Sequence, residues 1–179
     1  MKLKMILTVL AIALVGFIIF GLVNANTLKK INITKSVTIK NELNEVFDMV
    51  RLLENFPKWS PFLEVDPTQK YKVKGADGVV GAQYHWEGNG GKDLGYQEIV
   101  KIEEGRFIGM MCNIQKPFKA KPTFDYTFSQ TPNGVLVTQD FNLESSLGDA
   151  FFMWLFGAKK GMEKMNQRGL DLLKKASEE

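Results

Sequence analysis

Phe124 to Leu143 reads F-D-Y-T-F-S-Q-T-P-N-G-V-L-V-T-Q-D-F-N-L. Phe124, Tyr126 and Phe128 alternate with polar neighbours. After a break at Thr131-Pro132-Asn133-Gly134, so do Val135, Val137, Phe141 and Leu143. A period of two with a turn cluster between the runs predicts two paired strands that share one apolar face. The same rhythm extends back to Gln69 through Tyr71 and Val73, Tyr84 and Trp86, Leu94 and Tyr96, Val100 and Ile102, and Ile108, Met110, Cys112 and Ile114. Breaks fall at 75–78, 87–92, 103–106 and 116–121, where Gly, Pro or charged and polar residues interrupt the alternation. Short strands separated by regular turn signals predict an antiparallel meander of six strands.

Outward from the meander the period changes. Ile33, Val37 and Ile39 alternate over 31–40, which adds a seventh strand. Asn41 is placed to cap a helix carrying Leu43, Val46, Phe47 and Val50. A second short helix, Leu52 to Phe56, is expected to stop at Pro57, and Pro57-Lys58-Trp59-Ser60-Pro61 forms a rigid turn. Beyond the meander, Phe151, Leu155, Met162, Met165, Leu172 and Leu173 predict one long helix over 147–176. Gly157, Gly161 and Gly169 lower its propensity and leave room or a gap along it. A sheet with one apolar face must bury that face, and the terminal helix has the length to cover it. Incomplete contact between the two predicts an apolar hollow, the usual setting of a small-molecule site.

Residues 5–23 run M-I-L-T-V-L-A-I-A-L-V-G-F-I-I-F-G-L-V with no charge and no proline. As a helix this run measures roughly 28 Å, close to the ~30 Å hydrocarbon core of a bilayer. A cleaved signal peptide is the rival reading, with Val23-Asn24-Ala25 as its site. The run is longer than the ~7–15 residues of a secretory apolar region, which favours a retained anchor. Lys2 and Lys4 precede it and Lys29, Lys30 and Lys35 follow, so charge leaves both orientations open. The chain therefore divides into an anchor and linker, 1–30, and one domain, 31–179.

The formal net charge of +3 comes from the anchor's surroundings. Lys2, Lys4, Lys29 and Lys30 aside, 19 basic residues face 20 acidic ones, which gives no basic face for nucleic acid. Cys112 is the single cysteine, so neither a disulfide framework nor a Cys-rich zinc site is available. No Ser-centred elbow, metal-spaced His pair or phosphate-binding glycine loop is present, and no cofactor or metal is implied. The one histidine, His85, is out of phase with Tyr84 and Trp86 and is expected on the outer face beside Glu87. Asp125 points outward by the same argument, and Glu98 does not stand out. Trp59 is expected to pack the short helices onto the sheet.

The order strand, two short helices, six strands, long helix resembles the START-like (SRPBCC) superfamily with its helix-grip fold. The words that carry the resemblance are N-E-L-N-E-V-F (41–47), F-P-K-W-S-P-F (56–62), G-A-Q-Y-H-W-E-G-N (81–89) and K-P-F-K-A (116–120). More narrowly the chain is similar to the bacterial polyketide cyclase/dehydrase branch that carries an N-terminal membrane segment. The resemblance implies an α+β fold: a curved seven-stranded antiparallel sheet around a long C-terminal helix, plus one transmembrane helix. It also implies an apolar ligand cavity between sheet and helix, in a single-pass protein of a bacterial cell (inner) membrane.

Phase then assigns Tyr84, Trp86, Tyr96, Met110, Phe124, Tyr126 and Phe141 to the cavity wall. Phe151, Leu155 and Met162 are assigned to its helical cover. The expected partner is a hydrophobic small molecule or lipid. A cyclase/dehydrase-like enzyme using the same cavity, and an interaction module with a cavity filled by side chains, are the alternatives.

Overall fold

The structure, a computed structural model, describes residues 2–179. Two compact units divide the chain, one made of residues up to 31 with 144–162 and the other of 32–143 with 163–179.

The second unit is built on an open seven-stranded antiparallel sheet. In chain order the strands are β1 (Lys30–Ile39), β2 (Lys70–Lys74), β3 (Gln83–Gly88), β4 (Asp93–Glu103), β5 (Phe107–Lys116), β6 (Thr123–Thr131) and β7 (Gly134–Glu144). They lie in the order β1-β7-β6-β5-β4-β3-β2, so the six-strand meander is sequential and only β1 crosses to the far edge. The Phe124–Leu143 hairpin pairs as its alternation requires, with Phe124 opposite Phe141, Tyr126 opposite Gln139 and Phe128 opposite Val137.

Three short helices follow β1: α2 (Leu43–Arg51), α3 (Phe56–Trp59) and α4 (Pro61–Val65). Their apolar residues Val46, Phe47, Val50, Phe56 and Trp59 join Ile99, Ile108, Tyr126, Phe128, Val135 and Val137 of the sheet in one buried core. Two expectations are corrected here. Pro57 opens α3 from its first turn, where a proline's missing N–H and fixed φ are tolerated, so it starts a helix and does not stop one. Asn41 is not the cap residue, because that position falls to Glu42. Asn41 instead accepts from the Glu42 amide at 2.7 Å and donates to the Ser177 carbonyl at 2.6 Å.

The expected single C-terminal helix is two helices, α5 (Leu147–Leu155) and α6 (Ala158–Glu178). Gly157 sits at φ +62, a left-handed conformation that ends α5 and turns the chain. In the second unit, the C-terminal part of α6 buries Leu170 and Leu173 completely in the core. Its last turn is held to the β1–α2 corner, where Lys174 donates to the Thr38 carbonyl (2.8 Å) and Glu178 accepts from the Lys40 amide (2.7 Å). Farther back, Arg168 makes a two-pronged ion pair with Glu64 of α4.

In the first unit, α1 (Lys2–Ala25) continues into a 3-10 turn, Asn26–Leu28. It is the one helix among the described residues long and apolar enough to cross a membrane. Only Gly21 and Ala25 of α1 are buried. Gly21 is covered by α5: a Cβ there would lie 2.4 Å from the Phe151 ring and 2.7 Å from that of Trp154.

Candidate functional site: the inner face of the sheet

Cross-strand partners in an antiparallel sheet point to the same side, so the register identifies the inner face. Trp86 and Tyr84 on β3, Gln97 and Ile99 on β4, and Met110 and Cys112 on β5 share that side. Phe124 and Tyr126 on β6, with Phe141 and Gln139 on β7, continue it. Six of the seven expected strand positions, Tyr84, Trp86, Met110, Phe124, Tyr126 and Phe141, therefore lie on one side of the sheet.

Tyr96 is corrected. It pairs with His85 and stacks on it at 5.2 Å between ring centroids, which puts it on the outer face. The reason is a bulge. Ile99 pairs with Met110 and Lys101 with Gly109, so Val100 is an extra residue that reverses the phase of β4. Alternation read backward from Ile102 consequently assigns Tyr96 to the wrong side. On that outer face Glu98 accepts from Gln83 (2.7 Å), the other end of the Gln83 amide meets His85 (2.8 Å), and Asn113 donates to the Tyr96 hydroxyl (3.1 Å). The half-buried His85 has its pKa lowered by desolvation and then by Lys74.

Two aromatic groupings shape the inner face. The Trp86 indole lies over Gly95 of β4, where an added Cβ would be 2.5 Å from the ring. Its Nε1 donates to Asp93 at 3.0 Å. Beside it Tyr84 stacks on Tyr71 (5.4 Å) and meets Phe56 edge-on (5.0 Å). Phe56 meets Trp59 (4.8 Å), and Trp59 meets Tyr126 (6.1 Å). The Trp59 Nε1 donates to the Met49 carbonyl at 3.1 Å, so Trp59 fixes the short helices to the sheet, as expected.

Among these rings sits a row of polar atoms that the alternation of apolar residues did not reveal. Gln97 and Gln139 are both buried. The Gln97 amide donates to Met110 Sδ and accepts from Cys112 Sγ at 3.5 Å. Gln139 Nε2 donates to the Tyr126 hydroxyl at 2.8 Å. The Tyr84 hydroxyl and Gln139 Oε1 are buried without any hydrogen-bond partner. Leaving such an atom unpaired costs about 1–3 kcal/mol. The signal for Gln97 and Gln139 was available, since each is in phase with a core residue, Ile99 and Val137 respectively.

Burial sets the protonation of this row. It raises the Tyr84 phenol, with the neighbouring Tyr71 adding to the effect. It also raises the Tyr126 phenol, against the opposing hydrogen bond from Gln139, and pushes the Cys112 thiol up to about 12. All three stay protonated at neutral pH. The two phenols are donors and not bases, and the thiol is not a nucleophile. Among the described residues no three His, Cys, Asp or Glu side chains come together in a metal-binding group.

The helical positions fare differently. Phe151 turns its ring onto Gly21 of α1, Leu155 is exposed and Met162 is half-buried. The break at Gly157 separates the first two from the helix that carries Leu170 and Leu173.

A sequential meander with β1 at its far edge, three short helices after β1 and a C-terminal helix packed on the apolar face define the helix-grip, START-like class. The chain belongs to the polyketide cyclase / dehydrase and lipid transport family, whose model matches residues 30–178. Membership supports a domain that binds a hydrophobic ligand. Solved structures agree on the fold at low identity. Protein CV1439 from Chromobacterium violaceum is 13% identical with a TM-score of 0.61, over 83% of this chain and 98% of that one. Ara h 8.0201 is 12% identical with a TM-score of 0.60, over 83% and 97%. DynU16, a protein of the dynemicin biosynthetic locus, is 14% identical with a TM-score of 0.52, over 79% of this chain and 46% of that one. No curated protein matches the chain in sequence.

Proposed function

We propose that residues 31–179 form a binding module that holds a hydrophobic small molecule or lipid against the inner face of the sheet. Residues 1–30 serve as its anchor and linker in a bacterial cell (inner) membrane. The observation that carries the ligand is the pair of unpartnered buried atoms, the Tyr84 hydroxyl and Gln139 Oε1, set in an aromatic wall. An apolar molecule carrying polar oxygens or nitrogens would pair with such atoms while covering the rings, as ligand sites with a few placed polar groups do. The protonated phenols and thiol favour holding such a molecule over moving its protons, which places the cyclase/dehydrase reading second. The anchor reading draws support from Ala25, which is fully buried in a segment that stays helical to Leu28. A peptidase would have to open that segment to cut it.

The test is mass spectrometry of small molecules that co-purify with the detergent-extracted full chain, paired with titration of an apolar fluorescent probe. A stoichiometric apolar species is expected. Tyr84→Phe should keep the fold, since it removes only an unpaired hydroxyl, and should weaken retention of the co-purifying molecule roughly tenfold, the equivalent of about 1.4 kcal/mol. A folded protein that carries no molecule and binds no probe would instead favour the interaction module.

A further inference from the structure

Helix α5 and helix α1 form an antiparallel pair inside the first unit. At the start of α5, the Ser145 amide donates to the Lys29 carbonyl (2.9 Å) and its hydroxyl to the Leu28 carbonyl (3.2 Å). Toward its other end, the Trp154 ring lies 5.6 Å from Phe17 and 5.9 Å from Phe20. The chain therefore runs back along the anchor toward its middle. At ~1.5 Å per residue, Gly21 is about 3 Å and Phe17 about 9 Å inside the end of the apolar run at Val23. Whatever touches Phe17, Phe20 and Gly21 lies at the same depth.

We infer that α5 is a second membrane-embedded element, a re-entrant helix that dips into the bilayer beside α1 and meets lipid acyl chains through Phe152, Leu155 and Phe156. The inference rests on α1 spanning the bilayer. Its independent support is the make-up of α5 itself. Phe152, Leu155 and Phe156 are 59%, 43% and 77% exposed, a contiguous apolar surface that monomeric soluble proteins seldom show to water. Asp149, the one charge in α5, is at the end bonded to Leu28 and Lys29, outside the apolar run, and its amide is capped by Ser146. At the deep end the backbone stays paired through the reversal: Phe156 N–H reaches the Phe152 carbonyl, Gly157 N–H that of Trp154, and Lys160 N–H that of Gly157. Irregular backbone within hydrocarbon requires such pairing. Lys159 and Lys160 follow the tip, and their four-carbon stems allow the ammonium groups to reach toward headgroups.

The experiment uses the full chain in vesicles of phosphatidylcholine with phosphatidylglycerol. Nitroxides are placed on Phe152→Cys and Phe156→Cys, with the wild type, whose only thiol is the buried Cys112, as the labelling blank. Power saturation should show strong collision with oxygen and weak collision with a water-soluble nickel chelate at both sites. In parallel, Trp154→Phe should remove a major part of the tryptophan quenching by brominated lipids. Strong nickel collision would place α5 in water, and weak collision with both agents would place it in a protein contact such as a second copy. Either result overturns the inference, as does quenching unchanged by Trp154→Phe. Flotation of the same vesicles separates the two readings. Protein that floats while failing these tests keeps the anchor and loses the re-entrant helix, and protein that does not float loses both.

Discussion

Asp125 and Asp140 face each other across β6 and β7, and the pair shows how one register position sets a pH response. Desolvation, and then the Asp140 charge, raise the Asp125 pKa, with Lys101 opposing. An acid raised in the folded state stabilises the fold fully below its ordinary value near ~3.9, and that contribution is lost as pH rises through the folded value. At pH 7 the pair is thus a liability. Asp125→Asn should raise neutral-pH stability by roughly 0.5 kcal/mol, and the gain should shrink toward pH 4; thermal midpoints of the detergent-solubilised chain across that range check both statements. A gain that grows on acidification would reverse the assignment. His85, the residue that chemistry alone would single out, is engaged with Gln83 and Tyr96 on the outer face. The informative residues are instead Gln97, Gln139 and Tyr84, whose polar atoms point inward.

For the elements, the three glycines of the C-terminal stretch do three different things. Gly157 takes a left-handed conformation and divides the helix. A Cβ on Gly169 would meet Pro61 of α4 at 3.5 Å, whereas one on Gly161 would meet nothing within 4 Å. A Cβ on Gly169 would already rest against Pro61, so the longer side chain of Gly169→Leu crowds α4 and should cost about 1–3 kcal/mol. Gly161→Leu should change stability by no more than about 1 kcal/mol, with the better helix propensity of leucine acting in its favour. Urea midpoints of the two variants decide the matter, and equal losses would mean that α4 is not docked through this glycine. The Glu64–Arg168 pair spans the same two helices. It lowers the Glu64 pKa, chiefly through its hydrogen bond, so its support is present above the ordinary carboxylate range and fades as acid protonates Glu64.

At the scale of the whole molecule, the chain combines a ligand-binding family domain with a helix able to span a bilayer. If that helix is retained, the protein should stay with membranes through carbonate extraction, and its intact mass should include residues 5–23; a mature N-terminus at Asn26 would show cleavage. The meander and the apolar N-terminal run were legible in the residues alone, because each rests on a local repeat: period two for the strands and an unbroken apolar run for α1, with helical spacing adding α2 and α6. The order of those elements then carried the resemblance to the helix-grip class. Everything that depends on neighbours came from the folded chain. The Val100 bulge moved Tyr96 to the outer face, since alternation carries no record of an extra residue in one strand. The pairing of β3 through β7 gathered Tyr84, Tyr126 and Gln139 on one side. The left-handed Gly157 detached α5 from α6 and let Phe151 and Trp154 close over Gly21, because a glycine in sequence signals conformational freedom but not the direction in which the chain will use it.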